Sequence, residues 1–124
     1  MRIIKFAFLS LLFSACYSTE QNCEKFRTGT FKFDALVEGE VITTTFVRND
    51  SIEIEKYNGK TDTASIRWIN DCQYILKSIN PESMAEKKPI EMRILYSDGN
   101  TYTFEYNIVG DTNKQKGTAV KIGD

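Results

Sequence analysis

Glu53 and Glu55 stand two apart in the stretch SIEIEKY. On a strand that spacing puts both carboxylates on one face, and carboxylates held close together can do acid–base work. Ile52 and Ile54 alternate with them, so the plainer expectation is a buried isoleucine stripe with both glutamates on a solvated outer face. Asp98-Gly99-Asn100 offers oxygen ligands, but the rest of a calcium loop is missing and a hairpin turn accounts for it. The chain has no histidine. That removes the commonest general base and metal ligand, together with Ser–His and Cys–His nucleophile pairs. There is no phosphate-binding glycine loop. The residues therefore point to no catalytic site, no metal and no cofactor, and to a protein that is not an enzyme.

Binding is the remaining chemistry. Trp68 shares an inward phase with Ala64 and Ile66. Tyr74, Tyr96, Tyr102 and Tyr106 fall on the inward phase of their own segments. Buried phenols need partners, and a tyrosine-rich interior suits either a polar-lined pocket for a small apolar or amphipathic ligand or a wet core. Lys87, Lys88, Lys114 and Lys116 gather in two longer loops, where they would receive an anion or stay solvated.

The elements that must position these residues read as strands. Phe31 and Phe33 alternate with Lys32 and Asp34; Ile42, Thr44 and Phe46 share a face. Cys72, Tyr74 and Leu76 alternate, as do Ile90, Met92, Ile94 and Tyr96, then Tyr102, Phe104, Tyr106 and Ile108, and last Val120 and Ile122 around Lys121. No segment holds a helical period, and β-branched and aromatic residues dominate. Turn pairs such as Glu38-Gly39, Asn58-Gly59 and Asp98-Gly99 recur about every ten residues, the beat of an antiparallel meander. The expected fold is all-β, an up-and-down meander of about eight strands closed into a small barrel, with a two-sheet β-sandwich as the alternative. One or two helical turns fit after Asn80-Pro81. Strand sense puts the tight Asn49-Asp50, Asn70-Asp71 and Asp98-Gly99 turns at one end. The long connections, 80–89 and 110–117, fall at the other, where a pocket would open.

Composition bounds the rest. At 124 residues the chain is one domain at most, and 16 basic against 17 acidic residues give no basic face for nucleic acid. Residues 1–15 look like a signal peptide: Arg2 and Lys5, then the apolar run FAFLSLLF, then the small Ser14 and Ala15. Phe13-Ser14-Ala15-Cys16 resembles the lipobox of bacterial lipoproteins. The resemblance implies acylation of Cys16, a tether over 16–22 and a membrane partner through that anchor. It also implies an address in the cell envelope, at the outer membrane. Disulfides persist outside the cytoplasm. With Cys16 acylated, Cys23 and Cys72 remain as an even pair for a disulfide within a single domain over 23–124.

Arg27-Thr28-Gly29-Thr30-Phe31 resembles the Gly-x-Trp opening of lipocalins, with Phe31 in the tryptophan place, and this implies a lipocalin-like barrel. The segments NCEKFRTGTFKF and SIRWINDCQYILKSINP are similar to those of small bacterial lipoproteins of unsettled function. Such relatives sometimes carry a DNA topoisomerase IV label. That chemistry needs a tyrosine on a large DNA-gripping scaffold, which a small acidic exported chain does not offer. The expected function is a membrane-anchored binding module outside the cytoplasm; an envelope protein–protein interaction or structural module is the alternative.

Overall fold

The structure is a computed structural model that describes residues 22–124. The expected signal segment, the expected acylation site at Cys16 and the expected tether up to residue 21 lie outside the described residues. The chain runs through β1 (Gly29–Val37), β2 (Glu40–Arg48), β3 (Ile52–Tyr57), β4 (Lys60–Asn70), β5 (Gln73–Ser78), β6 (Ile90–Asp98), β7 (Thr101–Ile108) and β8 (Gln115–Gly123). Each strand pairs antiparallel with the next, and β8 returns to pair with β1. The meander is therefore a closed barrel and not a sandwich. Closure leaves no sheet edge along the shared length of the strands.

Local chemistry sets the turns. Asn58 and Gly59 both hold positive φ, 50° and 74°, as a two-residue hairpin of type I′ requires. At the opposite end Asn49 Oδ1 accepts hydrogen bonds from the backbone N–H groups of Ser51 and Ile52, each at 2.9 Å. Asn70 Oδ1 accepts from Cys72 N–H at 2.9 Å. These side chains stand in for backbone acceptors and tighten the base of the barrel. The rim carries the two long connections, and a single 3₁₀ turn, Ala85–Lys87, is all that forms after Pro81.

The base is plugged from below. Cys23 and Cys72 are bonded, with Cα atoms 5.2 Å apart. The 3₁₀ turn Glu24–Phe26 that follows drives Phe26 fully out of solvent. Phe26 lies 4.7 Å from the Tyr102 ring, and Phe31 stacks on Phe46 at 5.1 Å. With Ile94, Phe104 and Ala119 these rings form the core.

Three faces differ from the sequence expectation. On β3 it is Glu53 and Glu55, not Ile52 and Ile54, that face the interior. The register sets Arg48 opposite Glu53 and Phe46 opposite Glu55, and directly opposed residues share a face. Thr44, Phe46 and Arg48 are all buried, so β3 follows their phase. On β6 a register shift between Ile94 and Tyr96 turns Tyr96 outward, 42% exposed, and buries Ser97 in its place. On β8 Ala119 is buried while Ile122 is 53% exposed, so Val120 and Ile122 are not the inner residues. A Cβ on Gly117 would come within 2.6 Å of Phe104 Cζ. The bulky rings of β1 and β7 take the space, and β8 supplies small residues against them.

Candidate functional site

Arg48 lies at the centre of the barrel, 2% exposed. Each of its three nitrogens makes one hydrogen bond. Nε donates to Glu53 Oε1 at 3.0 Å, one Nη donates to the Phe26 carbonyl at 2.6 Å, and the other donates to Tyr102 Oη at 3.0 Å. It also lies over the rings of Phe31 at 4.7 Å and Tyr74 at 4.9 Å, where ring quadrupoles favour a cation. Burial works against its charge. The Glu53 carboxylate and the hydrogen bond to Tyr102 favour it, and Arg48 is held above the ordinary arginine value. Burial pushes the phenols of Tyr74 and Tyr102 up, so both are neutral.

Above this layer the barrel is not filled. A deep lobe of about 180 Å³ reaches down to Arg48 and Glu53. Its walls are apolar and aromatic: Phe33 and Phe46 on one side, Met92, Phe104 and Tyr106 on the other. A second lobe of about 310 Å³ lies toward the rim, against Tyr57, Asp62, Ala64 and the segment Ala85–Lys88. Glu53, Glu55, Leu76 and Ile90 line both, so the lobes meet there. Lys88 and Ile108 are also shared with a shallow groove that runs along residues 108–112. From the first rim connection Ala85, Glu86 and Lys88 line the outer lobe, and from the second Gly110, Asp111 and Thr112 line the groove. Lys87, Lys114 and Lys116 line none of these lobes.

Glu55 sits at the waist, half-buried. No hydrogen bond or ion pair among the described residues ends on it, whereas Glu53 is neutralised by Arg48. Desolvation first, then the neighbouring charges of Glu53 and Asp62, push the Glu55 carboxyl up to about 7. Such a group can bind a proton or a cation near neutral pH. Among the described residues no group of three or more His, Cys, Asp or Glu is placed to hold a metal. Likewise, no helix of theirs is long and apolar enough to cross a membrane.

The candidate tyrosines separate. Tyr102 and Tyr106 line the deep lobe. Trp68 and Tyr74 lie below it, packed on each other at 4.5 Å with Arg27 capping Trp68 at 4.5 Å. They belong to the packed base. Tyr96 is outside the barrel. Arg48, Glu53, Glu55 and Asp62 were not singled out as ligand groups from the sequence. A signal was present: Arg48 continues the two-residue phase of Thr44 and Phe46, and Glu53 is its opposite charge across the Asn49-Asp50 turn.

Fold and cavity together define a class: a small closed antiparallel barrel with a packed base and a charged, aromatic-walled pocket beneath its rim. No family model, curated protein or solved structure matches the chain.

Proposed function

We propose that this protein is a small-molecule binding module, held in the cell envelope by acylation at Cys16 and taking its ligand through the rim of the barrel. One observation carries the reading. The upper half of the interior is an open cavity whose apolar and aromatic walls carry a cluster of charged groups at the waist and rim, a concave site of the kind that takes small ligands, while the lower half is packed. The chain enters the barrel at its base beside Cys23, so an anchor at Cys16 would leave the mouth facing away from the membrane. Leu76→Trp and Met92→Trp would fill the waist and the deep lobe. Loss of an environment-sensitive apolar dye from both variants, with wild-type circular dichroism, is the expected result. Unchanged dye uptake by both would remove the cavity from consideration. Mass spectrometry of the native protein tests the anchor: an unmodified residue 16 behind an intact leader is the contrary outcome.

A second reading rests on a separate observation. Leu36 and Val41 project at the tip of the β1–β2 hairpin and Met84 in the rim loop, all strongly exposed. An apolar rim of this kind suits an envelope protein partner. Cross-linking in cells that is lost on changing Leu36, Val41 and Met84 to lysine supports this reading; cross-links that persist exclude it.

A further inference from the structure

The charge arrangement of the cavity selects among ligands. Arg48 is the cation of the deep lobe, and three of its five N–H groups are spent on Glu53, Phe26 and Tyr102. Its charge is already balanced by Glu53 at 3.0 Å, so it presents no net positive charge to a carboxylate or phosphate in the cavity. Glu55 has the opposite status, since no cation pairs with it among the described residues. The groups facing it deepen the negative bias. Glu53 lies on its own strand, Asp62 pairs directly opposite it on β4, and Glu86 stands in the rim segment. Lys88, exposed at the mouth, is the one lysine of these lobes. β5 and β6 contribute Leu76, Ser78, Ile90 and Met92, and β7 contributes the neutral Tyr102 and Tyr106. An anionic head entering here would meet uncompensated carboxylates. A cationic head would find a carboxylate with no partner, and phenyl and phenol faces below it.

We propose that the cavity takes an organic monocation with an apolar body, a protonated or quaternary amine whose head rests on the Glu55 carboxylate and whose body fills the deep aromatic lobe. This rests on the reading of the barrel as a small-molecule binder. The deep lobe, at about 180 Å³, is slightly larger than a cavity of roughly 150 Å³ that holds a benzene ring. A single ring carrying a short cationic arm is thus the natural probe.

Three single-ring compounds whose arms differ chiefly in charge serve as probes: benzyltrimethylammonium, benzyl alcohol and phenylacetate. Each is titrated by NMR into the full-length protein at about pH 8, where Glu55 is mostly ionised. The expected result is that the quaternary cation binds about tenfold or more tighter than phenylacetate and tighter than benzyl alcohol. Its shifts should centre on Phe33, Met92 and Phe104. In Glu55→Gln the cation should fall to the level of the alcohol, whose own affinity is unchanged. Lowering the pH to about 6 should weaken the cation about tenfold in wild type by protonating Glu55, and not in the variant. Asp62→Asn gives a smaller loss of the same sign. If benzyl alcohol binds but the cation holds no advantage over phenylacetate, or keeps it in Glu55→Gln, the charge assignment is wrong and the cavity stands. If none of the three binds, the cavity reading falls and this proposal with it.

Discussion

Arg48 Nε stands 3.0 Å from Glu53 Oε1, with the side chains 1% and 7% exposed. The pair bridges β2 and β3 and reaches both the N-terminal plug, through the Phe26 carbonyl, and β7, through Tyr102. Each charge was taken out of water at a cost of several kcal/mol, which their attraction offsets only while both are present. Removing one partner should be far worse than removing both. Glu53→Ala is expected to lower unfolding free energy by about 3–5 kcal/mol, and Arg48→Met with Glu53→Leu to restore most of it. Urea denaturation checks both. A single variant as stable as wild type would show that the pair is idle.

The same pair marks the limit of what the sequence disclosed. Strand count, turn positions and closure were legible, because period-two alternation and Asn-Gly chemistry are local; the Cys23–Cys72 pairing came instead from setting Cys16 aside as the expected lipid site. The phase of β3 was not. SIEIEKY reads as an isoleucine stripe with glutamates outside, and only its pairing with the buried Arg48 reverses it. Tyr96 was misplaced for a related reason: one extra residue between Ile94 and Tyr96 changes the face of all that follows, and no Gly or Pro announces it. On β8 the hydrophobic residues lie outside, because Phe104 and Phe31 already fill the interior. The candidate cavity was half visible: its rim loops and Tyr102 and Tyr106 were, its charges were not.

The disulfide closes a sequence separation of 49 residues and pins the segment that carries Phe26 into the core. Chain entropy alone assigns it about 4 kcal/mol. Cys23→Ala with Cys72→Ala should therefore lower the unfolding free energy by about that much. Exchange protection should be lost first at Phe26 and Arg27. A variant within about 1 kcal/mol of wild type would mean that the unfolded chain is already compact near this loop.

Gly117 exists to admit the Phe104 ring. Its absent Cβ would lie 2.6 Å from Cζ and 3.1 Å from Cε2, so Gly117→Ala must displace the ring. Overpacking of this kind costs about 1–3 kcal/mol. Adding Phe104→Leu to Gly117→Ala should return part of that loss, whereas Phe104→Leu alone should be destabilising. Thermal melts of the three variants test the coupling; strictly additive effects would deny the contact.

Glu55 gives a pH signature whose sign is opposite to that of a salt-bridged carboxylate. Its pKa rises from 4.5 to about 7 on folding, so between these values the folded state binds more protons than the unfolded one. Stability from this group is fully present below the lower value and is lost as pH rises through the upper one. Glu55→Gln should flatten that decline and be more stable than wild type above neutrality. The difference between the two proteins isolates this residue from all other titrations. A wild-type curve that rises relative to the variant across this range would mean that Glu55 gains a cation in the folded chain.

Tyr74 and Tyr102 are both buried tyrosines close to Arg48, and their hydroxyls should behave oppositely. Tyr102 Oη accepts a charge-assisted hydrogen bond from Arg48 at 3.0 Å. Tyr74 Oη, in a residue only 1% exposed, has no hydrogen-bond partner among the described residues. Removing an unpaired buried hydroxyl removes a desolvation penalty, so Tyr74→Phe should be neutral or stabilising by up to about 1 kcal/mol. Tyr102→Phe should cost about 1.5–3 kcal/mol, because it leaves one Arg48 N–H unpaired. In the Arg48→Met, Glu53→Leu background that N–H no longer exists, and the cost of Tyr102→Phe should shrink toward zero. Denaturant midpoints for the two phenylalanine variants in both backgrounds read the coupling directly. Equal costs for Tyr102→Phe in the two backgrounds would mean that its hydroxyl is held by something other than Arg48.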